Sequence, residues 1–241
     1  MSTIAERITL IQARMLAATQ RMGRPATAVR LIAVTKMHAP EAVMAAVAAG
    51  VTALGENRVQ EAEAKIAALA GAGPALQWHL IGPLQRNKAR RAVALFDLIH
   101  SLDSVRLGET LAQHVADDAP ERRLAVLLQV SLAGEAQKAG FALEGGLHSA
   151  ALPAFYAEIE ALLALPHLDV RGLMTVPPAA PNPEDSRPYF RQLRRLRDEL
   201  ARRYPQSAWS ELSMGMSNDY EAAIEEGATL VRIGSAIFGA R

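Results

Sequence analysis

The side chain with the clearest chemical potential is Lys36, the last residue of an apolar run at 30–36 that predicts a β-strand. Because side chains alternate along a strand, this lysine shares a face with Ile32 and Val34. Apolar neighbours desolvate an ammonium group and lower its pKa, so that the neutral amine becomes available to attack an aldehyde. On position alone, a lysine that turns to solvent where the strand ends is the simpler interpretation, and the choice depends on the rest of the chain.

A second cation, Arg232, stands inside the apolar run 230–234, which predicts another strand. A guanidinium group in such a run keeps its charge and needs a fixed partner, which is either an internal carboxylate or a ligand. The sequence leaves both alternatives open.

Two turns near the C-terminus have the composition of phosphate-binding elements. Gly234 and Ser235 lead into a short helix start whose backbone N–H groups are free to bind an anion. Ser217 places a small hydroxyl in the turn after the predicted strand 211–214. Barrels often bind phosphate with the loops after their seventh and eighth strands, so together with Lys36 these turns predict a pocket for a phosphorylated aldehyde. Taken alone, Ser217 is equally typical of a helix cap.

Two further polar residues stand near the ends of the second and third predicted strands. Asn57 is placed to hydrogen-bond a ligand hydroxyl, and His79 is placed to pack on a ring. The alternatives are that Asn57 begins a helix and that His79 is a hydrogen-bonded core histidine. There is no histidine–carboxylate spacing typical of a metal site and no serine nucleophile elbow, so metal and hydrolase chemistry have little support.

The elements that must position these residues alternate between strand-length apolar runs and longer stretches of helical period. This βα alternation predicts an α/β protein with a parallel sheet, and eight units in 241 residues predict a single (β/α)8 barrel domain over 1–241 with an extra N-terminal helix. A doubly wound sheet would normally have a glycine-rich turn after its first strand, which is absent here. The predicted strands are 30–36, 52–55, 77–82, 98–102, 124–131, 169–176, 211–214 and 230–234, and the predicted helices include 40–49, 58–70, 104–115 and 188–204.

The composition narrows the class of partner. With 50% apolar residues, 21% charged residues and a net charge of +1, the chain has no general attraction for nucleic acid or anionic membrane, so its partners are expected to be small molecules. It contains no cysteine, which fits a reducing cytoplasm. The charged N-terminal segment is unlike a signal peptide or a membrane anchor.

Several short motifs are spread along nearly the whole chain: AVTK (33–36), LGEN (54–57), WHLIGPLQ (78–85) with Asn87 and Lys88, RGLM (171–174), SMGMS (213–217) with Asp219, and VRIG (231–234). In their order and spacing these motifs resemble the pyridoxal phosphate homeostasis proteins. The resemblance implies a barrel similar to the N-terminal domain of alanine racemase, with pyridoxal 5′-phosphate as the cofactor.

The resemblance also implies roles for individual residues. Lys36 would carry the cofactor as a Schiff base, and Arg232 would face the pyridine nitrogen. Lys138 also matches a family lysine and is expected to assist transfer of the cofactor. The phosphate would be held by Ser217, Gly234 and Ser235, and the pocket would be lined by Asn57, His79 and Met174. The pair Met37-His38 departs from the more usual polar pair, which puts local access to Lys36 in question.

The leading functional hypothesis is a carrier that binds pyridoxal phosphate, limits its free concentration and delivers it to cofactor-free enzymes, without turnover of its own. An arginine at the pyridine nitrogen disfavours protonation there and weakens the ring as an electron sink. The last predicted strand lies close to Arg241, so we expect no second racemase-type domain and a monomer. The alternatives are an amino-acid racemase with a minimal site and a barrel aldolase that uses Lys36 on a phosphorylated sugar.

Overall fold

Eight parallel strands close into a barrel in the computed structural model, which describes residues 2–71, 75–134 and 139–239. Each barrel strand pairs with its neighbours in the sequence, β9 pairs with β1, and pairing of β4 with β5 completes the ring. The predicted (β/α)8 architecture is therefore confirmed. The strands, labelled in chain order, are β1 (Arg30–Val34), β2 (Ala53–Glu56), β3 (Gln77–Leu80), β4 (Leu98–Leu102), β5 (Leu124–Ser131), β6 (Phe141–Ala142), β7 (Leu168–Met174), β8 (Glu211–Ser213) and β9 (Leu230–Ile233).

Two strand boundaries and one additional strand differ from the sequence prediction. β1 ends at Val34, two residues before the predicted end, and Met37 beyond it adopts the left-handed backbone conformation with φ of 63°. β7 likewise ends at Met174, two residues before the predicted end. The short β6, which the prediction lacked, pairs only with β5 and lies outside the ring.

The helices begin where local chemistry favours them. Thr3 and Glu6 form a reciprocal capping box at the start of the N-terminal helix, Ser104 accepts from the amide of Leu107, and Pro40 occupies a first-turn position. Asp219 directly precedes the helix Tyr220–Glu225, but its carboxylate accepts from the Met216 amide instead of a helical N–H. The described residues contain the α-helices α1 (Ile4–Arg21), α2 (Pro40–Ala48), α3 (Val59–Ala68), α4 (Ala89–Leu95), α5 (Val105–Asp118), α6 (Leu152–Leu163), α7 (Arg187–Arg203), α8 (Tyr220–Glu225) and α9 (Ser235–Phe238).

The core has two layers. A small cluster that includes Ile32, Leu127 and Met174 fills the inside of the barrel, and a larger apolar layer lies between the strands and the helices. α7 shows how the sequence pattern produces the outer layer, since Phe190 and Leu193 are buried while its arginines lie towards solvent. Among the helices in the described ranges, none combines the length and apolarity that crossing a bilayer requires.

Candidate functional site

A cavity of about 760 Å³ opens at the carboxyl ends of the barrel strands. This is the end at which (β/α)8 barrels place their binding sites, and the volume falls in the range of small-molecule pockets. Among the described residues, its wall contains two cationic side chains, Lys36 and Arg232, and no carboxylate side chain. The lining residues are Val34, Lys36, His38, Asn57, Ile81, Val176, Met216, Ser217, Asn218, Arg232, Gly234, Ser235 and Gly239.

The structure places Lys36 in the wall of this cavity together with Val34, as the alternation along the first strand predicts. The neighbouring residues Met37 and His38 are placed differently. The Met37 side chain is 72% exposed and does not line the cavity. His38 lines the cavity and stacks on Phe238 with ring centroids 4.4 Å apart.

Arg232 enters the cavity from β9 and is only 4% exposed. Its Nη1 donates to the Ser213 hydroxyl at 2.5 Å, and its Nη2 donates to the Thr175 carbonyl at 2.9 Å. Burial lowers the pKa of Arg232 to about 10, against the favourable influence of Asp219, so the group stays charged at neutral pH. The sequence left two alternatives for the partner of this guanidinium, an internal carboxylate or a ligand. No carboxylate in the described residues pairs with it, and the groups that accept its hydrogen bonds are neutral.

Behind Arg232 runs a buried chain of neutral hydrogen-bonding groups. His100 Nδ1 lies 2.8 Å from the Ser213 hydroxyl, and His100 Nε2 lies 2.9 Å from His79 Nδ1. Burial lowers the pKa of His79 to about 3, with a smaller contribution from Arg30, and burial also lowers the pKa of His100 well below its ordinary value. Both imidazoles are therefore neutral at pH 7, so each carries one ring proton. We name Ser213, His100 and His79 the histidine chain.

His79 is thus a hydrogen-bonded core histidine that does not line the cavity. It is linked to the cavity through His100, Ser213 and Arg232. Neither His100 nor Ser213 was predicted from the sequence as a site residue. The available signal was a histidine inside the apolar strand run Leu98–Leu102, since a buried polar group needs a buried partner.

The two turns predicted to bind phosphate meet at Ser217. Its hydroxyl accepts from the backbone amides of Gly234 at 3.3 Å and of Ala236 at 3.2 Å. Ser217, Gly234 and Ser235 also share the cavity wall with Arg232. The cavity therefore has a hydroxyl and backbone N–H groups gathered at one place, close to a buried cation.

Asn57 lines this cavity and also a smaller one of about 250 Å³, whereas Met174 lines only the smaller one. The close packing here requires glycine at position 82, because a Cβ atom at Gly82 would lie 2.4 Å from the Asn57 carbonyl oxygen. The structure thus brings most of the predicted site residues around two adjoining cavities. Lys138 lies outside the described residues.

The fold places the protein in the class of barrels like the N-terminal domain of alanine racemase. The family model described as "Alanine racemase, N-terminal domain" matches residues 9–241. An alanine racemase from Clostridium difficile 630 superimposes with a TM-score of 0.67 at 16% identity, covering 95% of this chain and 56% of that chain, which shows a shared fold.

More similar relatives identify the family within that class. The pyridoxal phosphate homeostasis protein of Aquifex aeolicus (strain VF5) is 42% identical over 98% of this chain and 97% of its own length, and that of Pseudomonas aeruginosa is 43% identical over 100% and 97%. PipY of Synechococcus elongatus PCC7942, solved with PLP bound, superimposes with a TM-score of 0.81 at 41% identity, covering 98% of this chain and 100% of that chain. The chain belongs to the family of pyridoxal phosphate homeostasis proteins.

Proposed function

We propose that this protein binds pyridoxal 5′-phosphate as a Schiff base on Lys36 and serves in homeostasis and delivery of the cofactor. The observation that carries the proposal is the cavity wall, in which a lysine, a buried arginine and a cluster of hydroxyl and amide groups face a common space with no carboxylate among the described lining residues. This set of groups fits a ligand that is both an aldehyde and an anion. The solved relative PipY, which has PLP bound, supports the same assignment.

Each part of the wall has a chemical task in this proposal. The Lys36 amine adds to the aldehyde carbon, and loss of one water leaves the imine; addition of water reverses the step and frees the aldehyde. Ser217, Gly234 and Ser235 hold the phosphate, and Arg232 faces the ring nitrogen. Asn57 and Met174 line the pocket. His79 does not line it but is linked to Arg232 by hydrogen bonds through His100 and Ser213.

Two features favour a carrier over a catalyst. Bound PLP supplies an electron sink for carbanion chemistry only as far as its ring nitrogen is protonated, and a charged Arg232 at that nitrogen disfavours the proton. A racemase also needs a second acid or base opposite the lysine. Among the described residues no tyrosine lines either cavity, since Tyr156, Tyr189 and Tyr220 lie in helices and Tyr204 directly follows one.

We also propose that the protein is a monomer in the cytoplasm and that it exchanges cofactor with cofactor-free acceptor enzymes. In this proposal Lys138 takes part in the transfer.

The test combines spectroscopy with chemical trapping. Purified protein mixed with PLP is expected to develop an imine absorption band, and borohydride is expected to fix the cofactor on Lys36 in a peptide map. Lys36→Ala should lose both signals, whereas Lys88→Ala, which changes a lysine that lines neither cavity, should keep both. Imine retention in Lys36→Ala would refute the assignment, unless the peptide map shows the cofactor on Lys138.

A second measurement separates the carrier from an enzyme. Single-enantiomer amino acids incubated with the loaded protein in deuterium oxide should keep their Cα proton and their configuration. Transfer of PLP to an acceptor enzyme prepared without cofactor should restore that enzyme's activity. Rapid exchange at Cα would favour the racemase interpretation.

A further inference from the structure

A group of buried charges lies directly behind Lys36, between β2 and α3, and the proposed function does not use it. Lys65 and Glu56 are both buried, although each carries a charge that is costly to remove from water. The Lys65 Nζ lies 2.6 Å from Glu56 Oε1 and 2.8 Å from Glu61 Oε1. Thr35 Oγ1 donates to the same Glu56 oxygen at 2.6 Å. We name Thr35, Glu56, Glu61 and Lys65 the Lys65 cluster.

The cluster contacts the main chain on both sides of Lys36. Lys65 Nζ uses its third N–H to bond the carbonyl oxygen of Thr35, the residue before Lys36. Glu61 Oε1 accepts from the backbone amide of Met37, the residue after it. The two peptide groups that flank Lys36 are therefore joined, through Glu61 and Lys65, to one another and to the first turns of α3.

The backbone at this point needs such support. Met37 has a φ of 63°, a conformation that side chains other than glycine seldom adopt, and its own side chain is 72% exposed. Few contacts of the Met37 side chain are therefore available to stabilise the turn. The turn is closed by a hydrogen bond from the His38 amide to the Thr35 carbonyl at 3.1 Å, and the hydrogen bond from the Met37 amide to Glu61 ties it to α3.

The arrangement is poorly suited to stability alone. Glu56 Oε2 is buried with no hydrogen-bond partner among the described residues, and burial raises the pKa of Glu56 against the hydrogen bonds from Lys65 and Thr35. A well-packed apolar group would fill this space at a lower cost. What the charges provide is a fixed position for the Lys65 ammonium group and, through it, for the Thr35 carbonyl.

We propose that the Lys65 cluster is a positioning device for Lys36. By holding the carbonyl of residue 35 and the amide of residue 37, it fixes the direction in which the lysine side chain enters the cavity. It thereby sets how readily the amine reaches an aldehyde held by the phosphate-binding groups. This inference rests on the proposed function for its consequence, while the structural part concerns the chain by itself.

The experiment compares two changes at Glu61 with a matched control on the same helix. Glu61→Leu removes the acceptor of the Met37 amide, whereas Glu61→Gln keeps an oxygen that accepts it. Glu63→Leu, two residues further along α3, removes a half-exposed surface partner of Arg91. Three measurements are made on each variant. Hydrogen exchange at the Met37 amide is measured without cofactor, and the rate of imine formation is measured after rapid mixing with PLP. The midpoint of thermal unfolding reports stability.

We expect Glu61→Leu to speed exchange at the Met37 amide at least about tenfold and to slow imine formation about 10- to 100-fold, because small misplacement of a reacting group has effects of this size. Glu61→Gln should recover most of both losses, and Glu63→Leu should match the wild type. A merely structural cluster would lower the unfolding midpoint of Glu61→Leu and leave the rate of imine formation at that of Glu63→Leu. That result would overturn the inference.

A second variant provides the test if Glu61→Leu does not fold. Glu56→Gln combined with Lys65→Met leaves no unpaired charge at position 56 and still removes the hydrogen bond from Lys65 to the Thr35 carbonyl. It should slow imine formation to a similar extent, and an unchanged rate would count against the cluster. If the wild type itself forms no imine, the proposed function fails, while exchange at the Met37 amide still decides whether Glu61 holds the turn.

Discussion

The two cations of the cavity belong to neighbouring barrel units, Lys36 just after β1 and Arg232 on β9, yet different contacts hold them. β1 pairs with β9, and the register places Ile32, on the same face as Lys36, beside Arg232. Lys36 is fixed through its main chain by the charged Lys65 cluster outside the barrel, whereas Arg232 is fixed through its own N–H groups by Ser213 and a carbonyl. The charged cluster therefore acts on the backbone around Lys36, whereas the neutral groups act on the Arg232 side chain itself.

The difference also predicts different energetics. A buried ion cluster is sensitive to removal of one member, because the remaining charge is left unpaired. A neutral hydrogen-bonded chain loses less when one link is removed, but it responds to pH once its histidines take up protons.

The largest effect is expected from Lys65→Met. Glu56 would then remain buried beside Thr35 without its counter-charge, and breaking a buried pair in this way costs about 3–5 kcal/mol. Urea unfolding monitored by tryptophan fluorescence would measure the loss. The double change Glu56→Gln/Lys65→Met should restore most of the stability, and equal losses in both variants would argue that packing, not charge, dominates the cluster.

A smaller loss of stability is expected when the histidine chain is interrupted. Ser213→Ala removes the hydroxyl that accepts from Arg232 and contacts His100, and leaving such buried groups unsatisfied costs about 1–3 kcal/mol. Ser213→Thr keeps the hydroxyl and serves as the conservative comparison. A loss in Ser213→Ala as large as that in Lys65→Met would erase the contrast between the two regions.

The pH dependence of stability should separate the regions further. The pKa of His79 is lowered from 6.5 to about 3 in the folded protein, so between these values the unfolded chain binds a proton that the folded chain does not. Stability contributed by the neutral histidine is therefore fully present above pH 6.5 and falls as the pH decreases, by about 1.4 kcal/mol per pH unit for one proton. Unfolding free energies at pH 7.5, 6.5 and 5.5 should show this slope in the wild type and a shallower one in His79→Gln. Parallel slopes would mean that His79 keeps its ordinary pKa.

The smallest effect is expected from Thr35→Val. This change removes one hydrogen bond to Glu56 Oε1 while Lys65 still pairs with that oxygen, so the loss should be about 1 kcal/mol. Thermal unfolding checks the size, and imine formation checks that Lys36 is not displaced. A loss comparable to that of Lys65→Met would show that Thr35 and not Lys65 holds the cluster together.

Local patterns predicted the fold and a large part of the cavity wall. The alternation of apolar runs and helical stretches indicated the barrel, and Lys36, Ser217 and Arg232 were placed correctly at its carboxyl end because strand ends in a barrel converge. The exact end of β1 was not predictable in the same way, since the turn at Met37 depends on Glu61, which lies 24 positions further along the chain.

The sequence by itself determined the architecture, the approximate position of each strand and the presence of two cations at the cavity, because these follow from periodicity and residue type. Only the tertiary structure decided what holds those cations. The partners of Arg232 lie on other strands, and the histidine chain spans positions 79, 100 and 213. Contacts between residues so far apart in the chain arise only when the barrel closes, and no local pattern records them.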